Sequence, residues 1–106
     1  MSDPLLITTT FENRVDAEKM ATMLLEKRLV ACAQISNSVS SHYWWQGEIV
    51  SSEEYVLVMK SDESLYQNLE QVIRASHPYE TPEIIATAIT HLSEEYQHWL
   101  EKELQI

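Results

Sequence analysis

Residues 29–60 read LVACAQISNSVSSHYWWQGEIVSSEEYVLVMK, two strand-like segments separated by Gln46-Gly47. Glycine tolerates positive φ, so this dipeptide is the natural turn of a hairpin. Upstream, Val30 to Ile35 is a short apolar run that reads as a buried strand, followed by a serine-rich bend, Ser36 to Ser41, and then His42-Tyr43-Trp44-Trp45. The return strand is read from Glu48 to Lys60, with Tyr55-Val56-Leu57-Val58-Met59 as its most apolar part.

Outward from the hairpin, strands and helices alternate. Residues 5–10, Leu-Leu-Ile-Thr-Thr-Thr, are apolar and β-branched and predict a first strand. Asn13 or Asp16 is placed to cap a helix in which Ala17, Met20, Ala21, Leu24 and Leu25 recur at helical spacing. Beyond the hairpin, Ser61-Asp62-Glu63 opens a second helix, with Ser61 as its cap and Leu65, Leu69, Val72 and Ile73 facing inward. Pro78 and Pro82 bound a turn. A last strand is read from Glu83 to Thr90, and a helix begins at Ser93 with Tyr96, Trp99, Leu100 and Leu104.

The order β-α-β-β-α-β plus a C-terminal helix is the α+β, ferredoxin-like split βαβ arrangement, with two helices on one face of an antiparallel sheet. This leaves Trp44, Trp45 and part of the Tyr55–Met59 strand without a partner. An apolar patch of that kind predicts self-association. The 106 residues read as a single domain, 1–106, with no linker or repeat. Seven basic residues against 17 acidic ones leave a formal charge of -10. That field repels phosphate backbones and anionic lipid, so neither nucleic acid nor a membrane is an expected partner. The N-terminus lacks the pattern of a secretory leader, and one cysteine cannot form an internal disulfide, so a reducing, cytoplasmic setting is expected. One glycine excludes every glycine-rich phosphate loop.

Few residues promise chemistry. Cys32 sits among Val30, Ala31 and Ala33 and reads as a small core side chain. His77 follows a helix whose C-terminal end would favour a protonated imidazole, and it is a candidate metal or ligand residue. His42, His91 and His98 show no spacing typical of zinc sites. Glu53-Glu54 and Glu94-Glu95 read as solvated carboxylates, and Lys60 ends a strand where ligands often bind. No nucleophile, base and acid can be assembled, so no enzyme is expected.

Four blocks in order resemble the CutA divalent-cation tolerance family: Arg28-Leu29-Val30-Ala31-Cys32-Ala33, Tyr43-Trp44-Trp45-Gln46-Gly47, Glu54 to Lys60, and His77-Pro78-Tyr79-Glu80-Thr81-Pro82-Glu83-Ile84. The resemblance implies a homotrimer of ferredoxin-like protomers, cytoplasmic in bacteria and linked to copper and other divalent cations. It also implies a cleft between subunits lined by Cys32, Lys60, His77, Tyr79, Glu83 and an aromatic ring from Trp44 or Trp45. His77 and Cys32 are its metal candidates. Lys60, Tyr79, Glu83 and Trp45 are its ligand-binding candidates. The family's first-strand cysteine falls on Thr9 and the first of its paired histidines on Ser76, and a hydroxyl is a poor copper ligand. The alternatives are a small-molecule-binding signalling trimer similar to the PII proteins, or a protein scaffold.

Overall fold

Four antiparallel strands and three helices follow one another in the computed structural model, which describes residues 2–106. They are β1 (Pro4–Phe11), α1 (Arg14–Glu26), β2 (Cys32–Trp45), β3 (Glu48–Asp62), a 3-10 turn (Glu63–Leu65), α2 (Tyr66–Ser76), β4 (Ile85–Ala88) and α3 (Glu94–Leu104). The sheet order is β2-β3-β1-β4, the order that a split βαβ chain must give. No helix of the described residues is long and apolar enough to cross a membrane.

One side of the sheet carries the core. Alternation along β1 and β3 sends Ile7, Phe11, Leu57 and Met59 to the same side. There they meet Ala17, Met20, Ala21 and Leu24 of α1 and Leu69 and Ile73 of α2, all buried. Pure area burial contributes about 1.5–3 kcal/mol for each large side chain. The opposite side is partly covered by α3, whose Leu100 and Leu104 are buried and whose Tyr96 reaches Cys32. Leu57 and Met59 are therefore core residues, and the uncovered apolar surface lies further out, on the hairpin.

The hairpin differs from its sequence reading in one important respect. The serine-rich segment is not a bend, because β2 continues through it to Trp45. Ile35 pairs with Leu57 and Ser38 with Tyr55, so two residues of β2 stand against Val56 alone. This is a β-bulge. Serine suits the place: the Val56 N–H donates to Ser36 Oγ at 2.9 Å, and the Ser36 carbonyl accepts from Arg14 Nη1 at 3.3 Å. The turn is as expected. Trp45 pairs with Glu48, and Gln46 and Gly47 both have positive φ, 50° and 81°, the signature of a type I′ hairpin.

Two smaller corrections concern element ends. Ser61 is buried and donates to the Leu29 carbonyl at 2.6 Å, so it ties β3 to the loop after α1 and caps nothing. Asp62 is the cap, its carboxylate accepting from the Ser64 N–H at 2.9 Å. The last strand is only Ile85–Ala88 and pairs with Leu5 to Thr8, leaving the far end of β1 without a neighbour on that edge. At α3 the reading stands: Ser93 Oγ accepts from the Tyr96 N–H at 3.2 Å.

Candidate functional site

The bulge determines which side chains of the arm share a face. Before it, Cys32 pairs with Lys60 and Gln34 with Val58; beyond it, Val39 pairs with Glu54, Tyr43 with Val50 and Trp45 with Glu48. The extra residue moves odd-numbered positions of β2 onto the face that even-numbered positions of β3 occupy. Tyr43 and Trp45 consequently stand on the same side as Glu54, away from α1 and α2. A cavity of about 690 Å³ opens there between the arm and the Tyr79–Glu83 segment. Its walls include Trp45 and Tyr43 on one side and Tyr79 and Glu83 on the other.

Glu54 closes the inner part of this cavity. It is only 8% exposed, although its neighbour Glu53 is solvated as the sequence indicates. Tyr79 donates its hydroxyl to Glu54 Oε2 at 2.8 Å. Burial, followed by the hydrogen bond to the Glu54 carboxylate and its charge, holds the Tyr79 phenol well above its ordinary range. Tyr79 gets there by passing the end of β1 that β4 leaves uncovered. Its backbone N–H donates to His77 Nδ1 at 3.1 Å, which fixes the start of the segment.

His77 is itself 8% exposed and stacks on Phe11, ring centroids 4.3 Å apart and 12° from parallel. Nε2 lies 2.9 Å from the Thr10 carbonyl and 3.1 Å from Thr9 Oγ1. Since Nδ1 accepts from Tyr79, Nε2 carries the proton and donates to the carbonyl. Burial pushes the His77 pKa down, against the smaller upward pull of the Thr10 hydrogen bond, Asp16 and Glu54. The helix end had favoured a charged ring; desolvation beside Phe11 outweighs it.

That burial has a pH signature. The unfolded imidazole titrates near 6.5 and the folded one below it. The unfolded chain therefore binds the extra proton more readily, and the stability tied to this group is complete above 6.5 and lost as pH falls through the window beneath. Denaturant midpoints measured from about pH 7.5 to 5 are expected to fall on acidification, and less steeply in His77→Gln. Equal slopes in the two proteins would remove His77 as the cause.

Lys60 and Cys32 form a second group. Lys60 Nζ lies 3.6 Å from Cys32 Sγ and 3.1 Å from Gln34 Oε1. Tyr96 OH is 3.7 Å from the thiol, and the ammonium stands 6.0 Å from the centre of the Tyr96 ring. Burial first, then the hydrogen bond and charge of Cys32, push the Tyr96 phenol up to about 12. Cys32 is thus half-buried beside a cation and not a core side chain. One protomer brings together Tyr79, Glu83 and Trp45, and separately Cys32 and Lys60. His77 lies near Tyr79 but on the helix side of the sheet.

This separation bears on a metal centre. Thr9 does meet His77, but with a hydroxyl, and the Ser76 hydroxyl makes only a 3.9 Å contact with Met23 Sδ. Both nitrogens of His77 are engaged, and Cys32 faces the other side of the sheet. Within one protomer these residues do not fit a copper ion, which asks for imidazole and thiolate at one point. Among the described residues no three His, Cys, Asp or Glu side chains are grouped so as to hold a metal ion. Glu54 is the site residue the sequence reading missed. Its only signal was the even spacing it shares with Val56, Val58 and Lys60.

The family described as CutA1 divalent ion tolerance protein matches residues 5–103. The chain is 38% identical over 96 residues to the divalent-cation tolerance protein CutA of Thermotoga maritima, covering 91% of this chain and 94% of that one. The crystal structure of CutA1 from Ehrlichia chaffeensis superposes with a TM-score of 0.93 at 32% identity, covering 100% of this chain and 99% of the other. CutA1 from the psychrotrophic bacterium Shewanella sp. SIB1 superposes with a TM-score of 0.91 at 38% identity, covering 95% and 94%. With the four-stranded sheet, the arm and the His77–Glu83 segment all accounted for, the chain belongs to the CutA1 divalent ion tolerance family.

Proposed function

We propose that this protein acts as a cytoplasmic homotrimer that contributes to divalent-cation tolerance by binding and not by catalysis. In this reading the functional site is the cleft that the arm of one subunit forms with its neighbours. The observation that carries it is the cross-strand pair Trp44–Ile49, with Trp44 71% and Ile49 66% exposed on the protomer. Two large apolar side chains standing directly opposite one another in water mark a surface that a partner covers. The exposed edge strand β4, with Ile85 half in solvent, supports the same reading. The number three comes from the family resemblance.

Trp45, Tyr79 and Glu83 line the cleft in this reading, and Lys60 with Cys32 borders it on the same face of the sheet. Copper or another divalent cation would draw its ligands from more than one copy, because Cys32 and His77 of one protomer do not converge. A second reading, binding of a small molecule by the same trimer, is favoured by the size of the cavity beside Glu54, which lies within the range of ligand pockets. Sedimentation at low micromolar concentration tests the assembly. A single species of three times the protomer mass is expected. A lone protomer at physiological salt would remove the cleft and the function assigned to it.

A further inference from the structure

We infer that α3 is a hinged strap that swings off the sheet as a unit, that Arg28 is its latch, and that the strap covers the Lys60–Cys32 pair.

The latch is visible in the backbone. Arg28 follows the last turn of α1 with φ 59°, a left-handed conformation. Its N–H donates to the Leu25 carbonyl and the Leu29 N–H to the Leu24 carbonyl, both at 3.0 Å, the two bonds of a Schellman ending. Glycine is the usual residue at this place, because a side chain is strained there. Ending α1 does not call for arginine. What arginine adds is a remote contact: Nη1 donates at 2.9 Å to the Glu103 carbonyl and at 2.9 Å to Glu103 Oε2. That carbonyl lies in the last turn of α3, whose own ending uses the Glu101 and Lys102 carbonyls and leaves this one over. The negative end of the helix dipole and the carboxylate both favour a cation there. A strained non-glycine residue with one long-range contact points to that contact as its role.

The rest of α3 is held lightly. Leu100 and Leu104 are buried, yet they stand outside the cluster that joins β1, β3, α1 and α2. Gln97 and Glu101 meet Ser2, and Tyr96 OH meets Cys32 Sγ. Residues 90–92, neither helix nor strand, join α3 to Ile89, whose N–H is fixed on the Pro4 carbonyl at 3.0 Å. These three residues are the hinge. An element with its own small apolar strip opens locally more readily than the core does. Opening carries Tyr96 away from the thiol and from the Lys60 ammonium, 6.0 Å from the centre of its ring.

Hydrogen exchange on the assembled protein, together with alkylation of Cys32 by iodoacetamide, reads the opening. In the wild type, α3 amides are expected to exchange faster than those of β1 and β3. Arg28→Gly suits the left-handed backbone and removes the latch. It is expected to speed α3 exchange and Cys32 alkylation together, about fivefold, with β1 and β3 changed by less than about twofold. Glu103→Gln leaves the backbone at Arg28 as it is, and is expected to shift both rates the same way by a smaller factor. Arg74→Gln, an exposed change on α2, is expected to shift neither. Wild-type α3 amides as slow as the core, whether the sheet or a neighbouring subunit holds them, would overturn the strap. Acceleration spread equally over the sheet in Arg28→Gly, or matched by Arg74→Gln, would overturn the latch. Alkylation that does not follow α3 exchange would overturn the cover over Cys32.

Discussion

Phe11→Ala is expected to lower the unfolding free energy by about 3–5 kcal/mol, the usual range for emptying a buried aromatic site. Phe11 is 1% exposed, on the helix side of the sheet, at the last position of β1. A domain of this size has a total stability of about 5–15 kcal/mol, so the loss is a large fraction of it. The change also strips His77 of the ring it stacks on. Water then reaches the imidazole, and its pKa is expected to rise back toward the ordinary value, as followed by NMR titration. Phe11→Leu retains most of the volume and is expected to cost far less. Should Phe11→Ala unfold near the wild-type midpoint, or leave the His77 titration where it was, the stacked pair is not what buries the histidine.

On the proposed assembly, Trp44→Lys combined with Ile49→Glu is expected to yield monomers in place of trimers at low micromolar concentration. The two positions face one another across the hairpin, so the new side chains form an opposite-charge cross-strand pair that preserves the arm. What disappears is the apolar surface offered to a neighbour. Burial of each wild-type side chain contributes roughly 1.5–3 kcal/mol, so each interface weakens on the order of a hundredfold or more. Sedimentation reads the assembly, and circular dichroism checks that the sheet persists. A variant that remains trimeric would show that the subunits hold together elsewhere.

The order of elements was legible because it depends on local properties: β-branched residues in β1, helical spacing from Ala17 to Leu24, Gly47 in a turn that needs positive φ, Ser93 before α3. What escaped depends on pairing. The bulge at Ser36 and Asn37 exists only relative to Val56 on the opposite strand, and nothing in the serine run distinguishes it from a loop. Cys32 could not be placed beside Lys60 without the register. Glu54 was read as solvated because alternation gives the side on which a residue stands but not what covers that side; Tyr79 covers it from 25 residues away. His77 was drawn in two directions by helix end and burial, and only the position of Phe11 shows which is stronger.

The unequal count of residues across the hairpin has an evolutionary consequence. Losing one codon from the Ser36–Asn37 pair would leave Ile35 against Leu57 and every pair from Ser38–Tyr55 to Trp45–Glu48 in step, so Trp44 and Trp45 would keep their sides. What would go is the local kink and added twist of the bulge, and with them the direction in which the arm leaves the sheet. The extra residue is therefore a lever on the aim of the arm, and a change of length at this point re-aims the tip without exchanging its faces.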